Sequence, residues 1–300
     1  MRVSDGCRIA YTVIGDGPNV PVLFVNGWTC SDGYWAHIGP ALVAAGHPAV
    51  YVDTRGHGAS GLPRSPGFAA RRLRDEDVSP ERVADDFVEV LDAAGIGAAA
   101  FTGHSMGVQA IVEVVRRHPD RVAALMPNAG TFENPVKTFA DKAFLDRLYP
   151  IADVLFRYVP FEVLRPVMRR TTSPKVGLKV IRAIKVGGEK VTEEAITPHM
   201  RQLTDVNFSV LWRMMSGLRG HATAEFLPSI TTPTLVLAGR RDLFTPPSVQ
   251  QRMADLIPDA EIAWFEEGGH LLPIEEPDGV AEAMIDFLAR RVDRAANYAV

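Results

Sequence analysis

The chain has 300 residues, of which 47% are hydrophobic and 23% charged, a composition typical of a packed globular protein. Its formal net charge of −4 argues against nonspecific nucleic-acid binding, and its two cysteines, Cys7 and Cys30, are too few for a disulfide scaffold or a cysteine-rich zinc module. The polar beginning and the lack of any apolar run near 18 residues predict a cytoplasmic protein without a signal peptide or transmembrane segment.

Short apolar runs predict the strands of a buried, mostly parallel sheet. The first run alternates between apolar and polar residues and follows an Asp-Gly turn. The later runs are apolar on both faces, which is typical of parallel strands covered by helices. The predicted strands span residues 7–14, 22–25, 49–52, 98–101, 123–126, 234–237 and 261–265.

Helical patterns separate these runs. Ser79 followed by Pro80 indicates the start of a helix, and apolar residues three and four apart continue from there to Gly95. A second helix is predicted from about Ser105 to His118, and a third covers the end of the chain. Strands and helices that alternate in this way predict a doubly wound α/β fold.

The alternation stops at residues 131–225, where every apolar period is helical and where Thr197-Pro198 predicts one helix start. The strand pattern then resumes. We therefore expect residues 1–130 and 226–300 to form one core, with residues 131–225 as a helical cap inserted before the last two strands.

The sequence Gly-His-Ser-Met-Gly at residues 103–107 lies between a predicted strand and a predicted helix. A Gly-x-Ser-x-Gly nucleophile elbow requires this context. Its turn is so tight that side chains at the two glycine positions would collide with their neighbours. The serine projects at the carboxyl end of the strand, where the helix amino terminus favours negative charge. Ser105 is therefore the predicted nucleophile.

A serine nucleophile needs a base, and the base needs an acid that orients it. His270 and Asp242 each follow a predicted strand, so both are expected at the same sheet edge as Ser105. Serine, acid and histidine also occur in the chain order of this kind of fold. Asn128 follows another strand at a place where an acid could lie, but it is an amide, which favours Asp242.

In these motifs the chain resembles the α/β-hydrolase fold family, in its cap-bearing, esterase-like branch. The resemblance covers nearly the whole chain outside the predicted cap. Besides the elbow and Gly-His at residues 269–270, it rests on Asn-Gly-Trp at residues 26–28, Asp-Thr-Arg-Gly-His-Gly-Ala-Ser at residues 53–60, and residues 233–242.

The resemblance implies an oxyanion hole formed by the backbone N–H groups of Trp28 and Met106. Asn26 stands in that loop where the family usually has histidine, a departure that concerns the polar contacts behind the loop. His57 and His104 are interpreted as structural residues.

The family's cap shapes the substrate pocket, and Phe144, Phe156 and Trp212 are candidates for its apolar lining or for packing between cap helices. Residues 131–225 contain 15 Lys or Arg and 10 Asp or Glu, a net charge of +5, whereas the rest of the chain carries −9. This asymmetry is typical of solvated helix faces, and it also fits an anionic substrate, an acyl carrier or a lipid interface at the cap.

The sequence therefore predicts a serine hydrolase that cleaves a small-molecule carboxylic ester through an acyl-enzyme intermediate. No metal or nucleotide cofactor is expected, because the chain has no His-Glu-x-x-His, Gly-x-Gly-x-x-Gly or Walker motif. The same triad also supports thioester or carbon–carbon bond hydrolysis and cofactor-free perhydrolysis. A binding protein or receptor with slow turnover is the alternative from another functional class.

Overall fold

A computed structural model provides the fold. Within the described part of the chain, the sheet contains the strands β1 (Tyr11–Ile14), β2 (Val22–Val25), β3 (Ala49–Val52), β4 (Ala99–His104), β5 (Val122–Asn128), β6 (Leu235–Gly239) and β7 (Glu261–Phe265). The structure describes residues 1–30, 32–62, 73–138, 149–150, 153, 163, 166, 173–183, 186–188, 190–205 and 208–293, without the side chains of residues 201–209.

The strands form one sheet in the order β1-β3-β2-β4-β5-β6-β7. Strand β1 is antiparallel to β3, and all other neighbouring pairs are parallel. The predicted doubly wound, mostly parallel α/β fold is confirmed. The strand order reverses beside β2 and β4, and ligands of open α/β sheets bind at the carboxyl ends of the strands at such a switch point.

Helices cover both faces of this sheet. Three-residue and four-residue 3-10 turns occur at Asp32–Trp35, Asp75–Val78, Pro119–Arg121 and Leu227–Ser229. The described α-helices are α1 (Ile38–Ala44), α2 (Pro80–Ala94), α3 (Met106–Arg117), α4 (Pro135–Thr138), α5 (Pro174–Ala183), α6 (Glu193–Asp205), α7 (Phe208–Gly220), α8 (Pro247–Leu256), α9 (Leu272–Glu275) and α10 (Pro277–Arg291).

The pattern of β2 shows how the sheet divides the core. All four of its residues are buried. Leu23 belongs to the apolar cluster that includes Phe87 of α2, whereas Phe24 belongs to the cluster that includes Phe287 of α10. Successive side chains of a strand point to opposite faces, so an uninterrupted apolar run is what a strand covered on both sides requires.

Helix α2 has the bounds that its capping residues predict. The Ser79 side chain accepts a hydrogen bond from the backbone N–H of Arg82, and Pro80 occupies the first turn, where its missing N–H costs nothing. Gly95 ends the helix at φ 71°, in the left-handed region that favours glycine.

Between β5 and β6, the described residues form helices and turns and contain no strand. The predicted helix start at Thr197 is wrong, because α6 begins at Glu193. The hydroxyl of Thr192 accepts a hydrogen bond from the backbone N–H of Ala195, while the hydroxyl of Thr197 donates to the Glu193 carbonyl inside the helix. The boundaries of the cap at residues 131–225 stay a prediction. No helix in the described part of the chain combines the length and the apolar character that crossing a membrane needs.

Candidate active site

Ser105 occupies a sharp turn between β4 and α3. Its backbone lies at φ 53° and ψ −113°, a conformation that non-glycine residues rarely adopt. A Cβ atom at Gly103 would lie 2.6 Å from the Gly107 carbonyl oxygen, and one at Gly107 would lie 2.8 Å from the carbonyl oxygen of Val25. Both positions therefore need glycine, and the turn holds the serine side chain at the carboxyl edge of the sheet beside the helix amino terminus.

The structure brings the three residues of the predicted triad together. His270 Nε2 lies 3.0 Å from Ser105 Oγ, and His270 Nδ1 lies 3.1 Å from Asp242 Oδ2. Asp242 is completely buried, and His270 is 6% exposed. An acid, an imidazole and a hydroxyl in this sequence can move a proton from the hydroxyl to the ring while the acid fixes the ring's orientation.

Asp242 is held rigidly by several donors. Its Oδ1 accepts hydrogen bonds from the backbone N–H groups of Phe244 and Thr245, at 2.8 and 2.9 Å. Its Oδ2 accepts from the Thr245 hydroxyl at 2.6 Å and from Gln250 Nε2 at 3.3 Å, in addition to its bond with His270. These bonds fix the carboxylate so that one oxygen faces the imidazole.

The backbone of His270 is fixed by His104, the residue before Ser105. His104 Nε2 lies 2.7 Å from the His270 carbonyl oxygen, and a carbonyl only accepts, so Nε2 carries the proton. The other ring nitrogen of His104 faces Cys30 Sγ at 3.8 Å. Burial, together with the nearby His270, lowers the pKa of His104 to about 3, so its ring is neutral at neutral pH.

The loop that carries His270 is also bonded to the helical segment between β5 and β6. The backbone N–H of His270 donates to the Val186 carbonyl at 3.1 Å. The Glu275 carboxylate accepts hydrogen bonds from the backbone N–H groups of both Gly269 and Gly188. The histidine loop therefore depends on residues from two parts of the chain.

The two residues predicted to form the oxyanion hole both lie at the cavity that contains the serine. Met106 opens α3, and Trp28 lies in a tight turn in which the Cys30 N–H donates to the Gly27 carbonyl at 3.1 Å. Thr29 has φ 65°, the sign that the third position of a type II turn requires. The role of Trp28 and Met106 in an oxyanion hole stays a prediction.

Asn26 has a partner of its own behind this loop. Its side-chain oxygen accepts a hydrogen bond from Trp35 Nε1 at 2.9 Å, and both residues are buried. The amide thus supplies the acceptor that a buried indole N–H needs.

A cavity of about 180 Å³ opens beside the serine. None of its described lining residues is Lys, Arg, Asp or Glu, so its polar groups there are neutral or belong to histidines. The cavity is lined by Trp28, Thr29, Cys30, Tyr34, His104, Ser105, Met106, Gln109, Thr131, Pro135, Val186, His199, Met215, Leu218, Phe244, Thr245, His270 and Leu271.

Sequence reasoning missed several of these lining residues. Phe244 stacks on the His270 ring with 4.9 Å between centroids, and its position two residues after Asp242 was an available signal. Gln109 follows Ser105 by four residues on a helix, which places it on the same side of α3. His199 had no local signal, because it comes from α6 in the helical segment.

Of the three aromatic residues that were candidates for the pocket lining, only Trp212 lies among the described residues. Phe144 and Phe156 lie outside the described residues. Trp212 is described but does not line the cavity, because its ring stacks on Tyr149 with 5.1 Å between centroids and an interplanar angle of 8°. Aromatic residues at helical spacing pack helices together as readily as they line pockets, and the sequence pattern cannot separate the two roles.

One cluster among the described residues has a donor set that a metal ion accepts. Oxygen and nitrogen atoms of Glu81, Glu113 and His221 lie within 4.8 Å of one another. Glu113 already accepts a hydrogen bond from His221 at 2.6 Å and pairs with Arg116 at 2.8 Å. Glu113 and His221 are thus already bonded to each other, and no member of the cluster lines the cavity beside Ser105.

Comparison with known proteins decides the family. Residues 22–283 match the sequence model described as "Alpha/beta hydrolase family". The chain belongs to the alpha/beta hydrolase family. The predicted family membership is thereby confirmed, and this member of the family is a hydrolase.

Similar proteins in the family have several named activities. The chain is 27% identical to the "Putative carbamate hydrolase RutD" of Variovorax paradoxus, over 93% of this chain and 96% of that protein. It is 24% identical to epoxide hydrolase A of Mycobacterium tuberculosis, over 95% of each. A thermophilic esterase from Thermogutta terrifontis has the same fold, with a TM-score of 0.72 and 23% identity over 97% of this chain and 96% of that chain.

Proposed function

We propose that this hydrolase cleaves small carboxylic esters through an acyl-enzyme intermediate on Ser105. The observation that carries the proposal is the continuous series of hydrogen bonds from Ser105 Oγ through the His270 ring to Asp242. A serine hydroxyl becomes a useful nucleophile when a base takes its proton, and the base works when its orientation is fixed.

In the first half of the reaction, His270 accepts the Ser105 proton while Oγ attacks the ester carbonyl carbon. The bond to the alcohol oxygen then breaks, and His270 donates its proton to the departing alcohol. The backbone N–H groups of Trp28 and Met106 are the proposed donors to the oxyanion, in line with the position of both residues at the cavity. Asp242 stabilises the positive charge that develops on the ring.

In the second half, water replaces the alcohol. His270 takes a proton from the water, whose oxygen attacks the acyl carbon. The bond between that carbon and Ser105 Oγ breaks, and the proton returns to the serine, so that the free acid leaves and the enzyme is restored.

The chemistry of serine favours a carbonyl substrate over an epoxide, although relatives are named for both classes. Attack by Ser105 on an epoxide carbon would leave an ether on the enzyme, and an ether has no carbonyl through which water could release it. Attack on an ester leaves another ester, which the same groups can hydrolyse. A carbamate also offers a carbonyl carbon, and the 27% identical relative named as a carbamate hydrolase makes it the second candidate substrate.

The cavity favours short acyl groups. Its volume of about 180 Å³ lies below the range of about 300–1,000 Å³ that is typical of sites for drug-sized ligands. Its described lining carries no Lys or Arg that would bind an anion. The proposed attraction of an anionic substrate, an acyl carrier or a lipid interface therefore rests only on the charge of residues 131–225, and Arg165, Arg169 and Arg170 of that segment lie outside the described residues.

The proposal is tested with p-nitrophenyl esters of two to eight acyl carbons, together with a thioester and an N-alkyl carbamate. We expect many turnovers per enzyme molecule, the fastest rates with the shortest acyl chains, and an acyl mass on the Ser105 peptide after rapid acid quenching. A single burst without turnover would indicate a binding protein. Sustained turnover with no adduct and no dependence on Ser105 would overturn the proposed mechanism.

A further inference from the structure

Two residues that line the cavity beside Ser105 each carry a hydrogen-bond acceptor that the proposed reaction does not use. The acceptors are Oε1 of Gln109 and Nδ1 of His199. Both atoms are buried, and neither has a hydrogen-bond partner among the described residues. Buried polar atoms in folded proteins nearly always have a partner, so each unpaired atom needs an explanation.

The orientation of the Gln109 amide is fixed by its other end. Gln109 is 1% exposed, and its Nε2 donates to the carbonyl oxygens of Glu133 and Leu218 at 3.2 Å and of His221 at 3.4 Å. Carbonyl oxygens only accept, so the amide nitrogen must face them and the amide oxygen must face the opposite way. Oε1 is therefore an acceptor held in place one helical turn after Ser105.

The tautomer of His199 is fixed in a similar way. The ring makes a hydrogen bond with the backbone of Thr29, and burial lowers the pKa of His199 to about 4. The ring is thus neutral at neutral pH. The bond to Thr29 favours protonation of the ring nitrogen that makes it, which leaves Nδ1 with a lone pair. Tyr34 packs against the ring at 5.5 Å between centroids and holds it at the cavity wall.

We propose that Gln109 Oε1 and His199 Nδ1 bind hydroxyl or N–H groups of the substrate, so that the enzyme selects uncharged esters that carry hydrogen-bond donors. An alkyl chain in this cavity would leave both acceptors buried without a donor, whereas a hydroxylated substrate would satisfy them. The lack of acidic side chains in the described lining favours a neutral donor over an ammonium group. This inference rests on the proposed function, because it assumes that the ester reacts at Ser105.

The test compares substrate pairs that differ by one hydroxyl group. p-Nitrophenyl butyrate is compared with p-nitrophenyl 3-hydroxybutyrate, and ethyl butyrate with 2-hydroxyethyl butyrate, so that the acyl and alcohol sides are examined separately. The quantity measured is the ratio of kcat/KM within each pair, divided by the ratio of the uncatalysed hydrolysis rates. We expect a preference of about tenfold for the hydroxylated member of at least one pair, the factor that corresponds to 1.4 kcal/mol.

Two variants remove the acceptors. His199→Phe keeps a planar ring without a nitrogen, and Gln109→Met keeps a chain of similar length without the amide. Each should bring the ratio of the affected pair close to one. Gln109→Met also removes donors to three carbonyls and can lower stability, but a smaller folded fraction lowers both rates of a pair equally and leaves their ratio unchanged. Met215→Leu, an apolar change in the same cavity, is the matched control and should keep the wild-type ratio.

A wild-type ratio near one in both pairs would mean that water satisfies the two acceptors, and it would overturn the inference. The same conclusion would follow if both variants kept the wild-type preference. These outcomes differ from a failure of the proposed function, in which p-nitrophenyl butyrate would not be hydrolysed and a fluorophosphonate would not label Ser105.

Discussion

The side chain of His104 is bonded to the backbone of His270, although 166 positions separate the two residues. The distance from His104 Nε2 to the His270 carbonyl oxygen is 2.7 Å. The contact joins the end of β4, which carries Ser105, directly to the loop after β7. Correct spacing between the serine and the imidazole therefore depends on a third, neutral side chain that does not need to touch the substrate.

Replacement of His104 tests this dependence. His104→Phe leaves the His270 carbonyl without its donor, and an unpaired buried polar group costs about 1–3 kcal/mol. We expect kcat/KM for p-nitrophenyl acetate to fall about tenfold or more, since small misplacements of catalytic groups have large effects on rate. His57→Phe is the matched control, because His57 is another buried histidine but does not line the cavity. It should lower the thermal midpoint and leave kcat/KM unchanged. Similar activity losses in the two variants would contradict a positioning role for His104.

Ser105→Ala should reduce kcat by about 10⁴-fold or more without changing the fold, because the members of a triad act as a unit. A fluorophosphonate should label the wild-type protein at Ser105 and fail to label the variant. Ser229→Ala, at an exposed serine in a turn before β6, should retain both activity and labelling. More than a tenth of wild-type activity in Ser105→Ala would remove Ser105 from the mechanism.

Asp242→Asn should lower kcat by about 10⁴-fold. The amide has only one oxygen, so it cannot accept hydrogen bonds from His270, Thr245 and the backbone at once. The imidazole then no longer keeps the tautomer that the reaction needs. Thr245→Val removes one of the donors to the carboxylate and keeps its charge. We expect a loss below about tenfold, the scale of one hydrogen bond. Steady-state kinetics and circular dichroism of both variants check the order of these effects. A nearly normal Asp242→Asn enzyme would show that Asp242 is not the acid that the reaction needs.

Three buried histidines predict a loss of stability in mild acid. Burial lowers the pKa of His57 and His199 to about 4 and that of His104 to about 3, from an ordinary value of 6.5. Between pH 6.5 and these values the unfolded chain binds protons that the folded protein does not. The free energy of unfolding should therefore fall as the pH falls from about 6.5 towards 4, by up to about 1.4 kcal/mol per pH unit for each histidine.

Urea unfolding at pH 7, 6 and 5 measures this dependence. His57→Gln removes one of the buried titrating groups and should make the decrease shallower. His37→Gln changes an exposed histidine and should leave the decrease as it is in the wild-type protein. The same pH dependence in both variants would count against proton uptake by His57 as a cause.

The strands show what the sequence can predict and where it stops. The predicted bounds of β2, β3 and β7 agree with the structure, because each is a short, mainly apolar run between turns. Strand β4 continues to His104, three residues beyond the prediction, and its last two residues pair with Pro127 and Asn128 of β5. A glycine and a histidine interrupt an apolar pattern, but their backbone still forms the parallel ladder.

The sequence likewise predicts some residues of the site and misses others. Ser105, Asp242 and His270 each follow a strand within a few residues, so local patterns and chain order were sufficient to nominate them. His199 reaches the cavity because α6 packs against the 3-10 turn Asp32–Trp35, where its ring meets Tyr34, and no local pattern predicts that contact. The aromatic residues of the helical segment gave a misleading signal at Trp212, because stacking on Tyr149 uses the same kind of side chain as a pocket wall.

The bonds between the histidine loop and the helical segment have a consequence for heat inactivation. His270 donates to Val186 through its backbone, and Glu275 accepts from both Gly188 and Gly269. Detachment of the helical segment alone would release the histidine loop while the sheet remained intact. On brief heating, we expect half of the activity to disappear several degrees below the midpoint of global unfolding and to return on cooling. Glu275→Gln should widen this temperature gap more than it lowers the global midpoint.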